Sequence, residues 1–271
     1  MKGRLLVVVP VYGEAEVTHA LLSDLARERD VADVVIVDNK GDYPSVGWER
    51  VLRPDTNLGW AGGTNHGTSA ARDDAHVGFV WLNNDTRLSA GFLTGLHKAA
   101  RRTRAALVAP VYDCYWLHQR VDGRPSPLEY VAHSVHRDAA FVDGTCMYVP
   151  ASTIDEYGVL DAETFAPLGW GAEVDYGLRL RAAGERVVVT RAAFLHHERA
   201  VTAQAVFDDY DSYLANAYPA MVEGLEAKWG DWEAAAGIDP VTHQTERLPS
   251  LDRFHRIVER QQARLGLVRQ R

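Results

Sequence analysis

Apolar runs of strand length alternate with stretches of helical spacing along most of the chain. Residues 5–9 and 34–37 are apolar on both faces, which suits parallel strands covered by helices on each side. Between them, residues 16–29 set Val17, Leu21, Leu22 and Leu25 on one helical face. Pro10 ends the first run, and the second closes on Asp38-Asn39. The pattern then predicts a third strand over 48–53, a helix over 61–72 and a strand over 77–82. A helix over 89–102 follows, with Ser89 as its N-cap, and then a strand over 105–110. Residues 141–149 read as a strand in which Gly144 marks a bulge or a close ligand approach. A helix begins near Glu173 and ends at Gly184; residues 186–190 form a strand, and Phe194-Leu195 leads into His196-His197-Glu198. This predicts an α/β domain with a mostly parallel central sheet flanked by helices. From about residue 204 the chain turns helical and aromatic, and 250–266 form an amphipathic helix, so the expected division is 1–203 and a C-terminal helical extension, 204–271. Residues 111–140 lack a clear period, as functional or mobile segments do.

Composition narrows the function only by exclusion. The chain has 271 residues, 46% hydrophobic and 24% charged, enough for a large core. A net charge of -8 argues against a nucleic-acid partner. Cys114 and Cys146 are the only cysteines, which leaves no disulfide framework and no four-cysteine zinc site. No apolar stretch reaches the ~18 residues of a membrane span, and no signal-peptide core follows the start, so a cytoplasmic protein is expected. In 250–266, Arg253, Arg256, Arg260 and Arg264 oppose Leu251, Phe254, Ile257, Val258 and Leu265. That helix is a solvated face, a subunit contact in a homo-oligomer, or a peripheral membrane contact.

Three stretches carry candidate chemistry. The 77–82 strand ends in Asn83-Asn84-Asp85. Ligands of open α/β sheets bind outside the carboxyl ends of strands, where Asp85 would meet a hard cation and a diphosphate, although Asn-Asp also simply makes turns. Residues 57–67 read Asn-Leu-Gly-Trp-Ala-Gly-Gly-Thr-Asn-His-Gly. Such glycines let a backbone approach a ligand, and a helix starting there offers amides to an anion. The spacing fits neither a dinucleotide fingerprint nor a P-loop. Finally, Gly169-Trp170-Gly171 precedes a helix whose first turn carries Glu173 and Asp175, where carboxylates also suit the helix dipole.

Taken in order, these stretches resemble the family 2 glycosyltransferases of GT-A fold, over roughly residues 4–200, and look closest to the rhamnosyl- and galactofuranosyltransferase-like branch. The resemblance implies that Pro10, Val11 and Tyr12 border the nucleotide and that Asp38 accepts a hydrogen bond from its base. It implies that Asn57, Gly59 and Asn65 line the nucleotide sugar. Asn83-Asn84-Asp85 stands where the family carries Asp-x-Asp, with Asn83 and Asn84 on the donor and Asp85 as the main metal ligand. His196 stands near a second metal ligand, with His197 as the alternative. In place of the family's acidic pair, Ala172-Glu173 opens the acceptor-site helix; Glu173 is the implied catalytic base and Asp175 the fallback. Gly144, Trp170 and Gly171 fall on the acceptor side.

The implied reaction is inverting transfer of a sugar from a UDP- or dTDP-sugar to the hydroxyl of a glycan, lipid-linked or protein acceptor. Mn²⁺ or Mg²⁺ would neutralise the leaving diphosphate, and Glu173 would take the acceptor proton. One base and direct attack imply inversion. The alternative is a non-catalytic nucleotide-sugar or glycan-binding module, which Asn83 and Ala172 keep open. A pyrophosphorylase ranks low because the turn after the first strand, Tyr12-Gly13-Glu14, is acidic and poor in glycine. A metallohydrolase is weaker still, since His196-His197-Glu198 lacks the His-Glu-x-x-His spacing.

Overall fold

β1 (Arg4–Val11) is buried almost throughout, with parallel neighbours on both sides: β2 (Ala32–Asp38) and β4 (His76–Leu82). A strand without a polar face has to lie in such a place. The computed structural model describes residues 3–123, 125–198 and 210–250. β3 (Arg50–Leu52) extends the sheet beyond β2. On the other side of β4 come β8 (Cys146–Pro150), β6 (Leu107–Tyr112), β9 (Val187–His197) and β5 (Thr86–Leu88), and β7 (His136–Asp138) also pairs with β9. β1 to β4, β6 and β9 point one way, while β5, β7 and β8 run against them. The sheet is therefore mixed rather than parallel throughout. The short β5 and β7 have too few residues to show a period, which is why sequence pattern misses them.

The alternation along β1 divides the core. Leu5, Val7 and Val9 face α1 (Ala15–Leu25) and α3 (Phe92–Thr103), through Leu21, Leu22, Leu25, Leu93 and Leu96. Leu6 and Val8 face α2 (Gly59–Ala71), α4 (Ala151–Tyr157) and α5 (Ala172–Ala182). α2 sits close to the sheet because of its glycines. A Cβ on Gly67 would lie 2.4 Å from Val8 Cγ1 and 2.8 Å from Val37 Cγ2, and one on Gly63 would lie 3.2 Å from Pro10 Cβ. Gly63 and Gly67 thus serve helix–sheet packing.

α3 is capped differently from expectation. Ser89 stands outside the helix, and its hydroxyl accepts from the Phe194 amide at 3.1 Å. Glu28 supplies the cap instead, accepting from the Leu93 and Thr94 amides at 3.0 Å each. A carboxylate there satisfies free amides and meets the helix dipole. Residues 141–145 are not strand, and β9 runs without a break into His197.

After β9, α6 (Tyr210–Trp229), α7 (Trp232–Ala236) and a small β10 (Ile238–Asp239)–β11 (Gln244–Thr245) ladder return to the same core. Leu225, Trp232, Ala236, Ile238 and Leu248 belong to the cluster that contains Trp81 and Tyr176. The expected boundary at residue 203 and the amphipathic 250–266 segment lie outside the described residues. Among those described, no helix is long and apolar enough to cross a membrane.

Candidate active site

The carboxyl ends of β1, β2, β4, β6 and β9 share one edge of the sheet, together with the amino end of the antiparallel β8. β8 starts there because Leu82 pairs with Cys146, and the Asn83 amide donates to the Thr145 carbonyl at 3.0 Å. Asn83-Asn84-Asp85 and Asp143-Gly144-Thr145 thus lie side by side, although they are far apart in sequence.

Asp85 is buried and stands 3.2 Å from His197 Nε2. His196, on the opposite pleat, turns away and holds Asp113 at 2.5 Å. Its side chain is 41% exposed, against 13% for His197. The histidine beside Asp85 is therefore His197, not His196. Burial opposes a charge on His197, but the Asp85 and Cys114 hydrogen bonds prevail and raise its pKa to about 10. Its Nδ1 lies 3.5 Å from both Cys114 Sγ and Thr145 Oγ1.

Asn83 and Asn84 part company. Asn84 points inward, donating to Thr18 Oγ1 at 3.1 Å. Asn83 Oδ1 is a buried oxygen with no hydrogen-bond partner among the described residues. Buried polar atoms are normally paired, so this oxygen calls for a ligand or ion. No three His, Cys, Asp or Glu side chains converge as a complete ligand set among the described residues. Asp85 and His197 nonetheless fit a divalent ion of the kind that takes its remaining ligands from phosphates and water.

Glu173 begins α5, behind Gly171, whose φ of +91° starts the helix. The Gly171 amide donates to Glu173 Oε2 at 3.1 Å. Burial pushes the Glu173 carboxyl up to about 8; Asp143 adds to this, and the Glu173 and Gly171 amides oppose it. A Cβ on Gly144 would lie 3.0 Å from the Trp60 ring and 3.4 Å from Glu173 Cβ, so these three residues form one wall. Asp143 is held by the Tyr112 hydroxyl at 3.3 Å and by the Thr145 amide and hydroxyl. Trp170, half-buried, precedes the same helix start, and a Cβ on Gly171 would meet Met221 and Phe165.

Asp175 points the other way. It is fully buried and pairs with Arg179 and Lys228 at 2.9 Å each, while the Trp229 indole donates to it at 3.0 Å. It fastens α6 to α5, with both of its oxygens already engaged by these three donors. Asp38 is similarly engaged, accepting from the Gly41 and Tyr43 amides and from Arg53. Asn65 bonds both backbone groups of Leu160, and Asn57 accepts from the Gly59 amide at 2.9 Å. Gly59 is overlain by the Pro167 carbonyl, and Gly169 packs on the Ala61 amide, so the start of α2 is covered by chain. Pro10 and Val11 are buried in β1, and Tyr12 follows at the site edge, half-buried.

Sequence reading alone did not single out Trp60, Tyr112, Asp113, Asp143 or Thr145. The signal existed for Asp113: the strand-end rule that marks Asp85 applies equally to the exit of β6.

The profile of glycosyl transferase family 2 matches residues 6–147. The chain belongs to that family. This family 2 chain is 39% identical over 234 residues to the uncharacterized protein Rv1525 of Mycobacterium tuberculosis, covering 86% of this chain and 88% of the relative. The same figures hold for Mb1552 of Mycobacterium bovis. Among solved structures, GalNAc-T7 with UDP, GalNAc and Mn²⁺ superposes with a TM-score of 0.56 at 11% identity, covering 90% of this chain and 55% of that one. TarS 1-349 of S. aureus gives 0.52 at 13% identity, covering 88% and 75%. These superpositions establish the GT-A-like fold of the family 2 glycosyltransferase, with its mixed sheet flanked by helices.

Proposed function

We propose that this glycosyltransferase is an inverting enzyme that moves a hexose from a UDP- or dTDP-sugar to an acceptor hydroxyl, as in the rhamnosyl- and galactofuranosyl-type branch. The observation that carries the reading is Glu173: a carboxylate at a helix start, set in a glycine- and tryptophan-walled recess, with its pKa raised by burial to about 8. A general base works best when its pKa lies near the operating pH. In its ionised form Glu173 takes the acceptor proton as the hydroxyl attacks. The Gly171 amide fixes the Oε2 position, and Trp60 and Gly144 shape the space in which the two sugars meet.

Asp85 and His197 would hold a divalent ion, Mn²⁺ or Mg²⁺, at the diphosphate end. His197 must then release its proton, as metal-bound imidazoles do. When bound, the ion supplies charge neutralisation for the leaving diphosphate. Asn83 Oδ1 is suited to accept from the donor's hydroxyls. Pro10, Val11 and Tyr12 border the nucleotide; Asp38 and Asn65 act through the turns they hold. The presence of Mn²⁺ with GalNAc-T7 supports metal use here. The catalytic unit extends beyond residue 203 to include α6, and the protein works at the cytoplasmic side.

Glu173→Gln tests the reading. The variant should bind the nucleotide sugar as wild type does and lose ~10²–10⁴-fold in transfer rate. Transfer at the wild-type rate would sink it. A wild-type protein that binds nucleotide sugars yet turns none over with any acceptor would favour the binding module.

A further inference from the structure

The register of β9 against β6 passes from Pro110↔Thr190 directly to Val111↔Phe194, so Arg191, Ala192 and Ala193 have no partner on β6. Bulges of this kind re-aim side chains. The Arg191 backbone is held from the other side: its amide donates to Val135, and its carbonyl accepts from the His133 amide and the Tyr130 hydroxyl, each at 2.9 Å. The side chain enters a cavity of about 260 Å³, lined also by Val135, His136, Val189, Leu248 and Pro249.

Arg191 is only 9% exposed. Its Nη2 donates to the Pro249 carbonyl at 2.8 Å, and no carboxylate pairs with it among the described residues. The contrast with Arg137, Arg179 and Arg186 is plain, since each of those meets an Asp or Glu. A guanidinium taken out of water without a counter-charge is costly. A second unmet group lines the same cavity: His136 Nε2 is buried with no partner among the described residues. Its Nδ1 lies 2.9 Å from Thr190 Oγ1, which accepts from the Ala192 amide at 3.0 Å. That arrangement leaves the threonine proton for Nδ1 and the ring proton on Nε2. Glu246 also lines the cavity but is engaged by Arg137 at 2.5 Å. The lining thus carries net positive charge in a chain of net charge -8.

We propose that this cavity binds a phosphate group, with Arg191 as its charged donor. A guanidinium fork matches phosphate oxygens, and the valine, leucine and proline walls leave room for little beyond a small ester substituent. The site lies on the β7 side of β9, up to ~20 Å of strand from His197, and is independent of the sugar-transfer reading. The phosphate could be free or part of an ester.

The test is calorimetric titration of the full chain with inorganic phosphate and with phenyl phosphate, at ionic strength held constant with KCl. Wild type and His197→Ala should bind saturably, and Arg191→Gln should bind at least about tenfold more weakly, as expected for loss of a charge-assisted contact. Tighter binding of phenyl phosphate assigns an ester; equal binding assigns free phosphate. Because Arg191 also holds the Pro249 carbonyl, the His136 ring nitrogens of the unaltered protein give a second reading by NMR and should shift on phosphate addition. No saturable binding, equal binding by Arg191→Gln, or an unmoved His136 signal overturns the proposal, as does loss of binding in His197→Ala alone, which would place the anion at the other edge.

Discussion

Glu173 and Asp175 are two positions apart on one helix, yet their surroundings give them opposite roles. Glu173 has backbone donors alone, the Gly171 and Glu173 amides, and a pKa raised by burial to about 8, so its base form appears as pH rises through that value. The kcat/KM profile should therefore climb with pH and level off above an apparent pKa near 8; Glu173→Gln should remove that limb. Asp175 is enclosed between Arg179, Lys228 and the Trp229 indole. Asp175→Ala should cost about 3–5 kcal/mol of stability, because it leaves two cations beside a buried gap. Chemical denaturation checks this; a variant of wild-type stability would show the cluster to be ornamental. At the diphosphate end, His197→Ala should weaken both Mn²⁺ and nucleotide-sugar binding by titration, while His196→Ala, whose ring lies on Asp113, should leave both near wild type.

At the level of elements, the glycine-rich start of α2 shows what the sequence pattern conveys and what it does not. Its position after the third strand and its helical character were legible from spacing. The purpose of its glycines was not, because the surface they fit is built by β1 and β2, far away in the chain. Gly67→Ala should therefore destabilise by about 1–3 kcal/mol through overpacking against Val8 and Val37, with nucleotide-sugar affinity per folded molecule unchanged. A loss of affinity at full stability would restore the ligand-contact role. The same distinction runs through the site. Asp85 could be read from the strand-end rule, and Glu173 from the resemblance to the family. The choice of His197 over His196 could not, since it depends on which face of β9 the Asp85 side chain meets where the chain enters β5. Asp143 and Thr145 were hidden for a related reason: they look like strand residues until β8 is seen to begin at Cys146.

For the whole molecule, the segment after β9 has the sequence character of an extension but the packing of a core layer. Leu225, Trp232, Ile238 and Leu248 are all buried in the cluster that underlies α5. Met221 fills the space left by Gly171, and Lys228 bridges Asp161 and Asp175 across two elements. His118 is locked between Thr245 and the Phe141 carbonyl, which ties β11 to the loop after β6. The helix start that presents Glu173 is thus supported by residues 210–250 as much as by the sheet. Heating the full protein should give one cooperative transition, with the Glu173 edge and the 210–250 layer unfolding together. Truncation after residue 209 should not release a stable catalytic unit: it exposes Phe165 and the Asp175 carboxylate at once, and the product should bind a hydrophobic dye and lose its sharp melting transition. A truncated protein that melts cooperatively and still binds nucleotide sugar would show instead that the last layer is an appendage, and that Glu173 is positioned by the sheet alone.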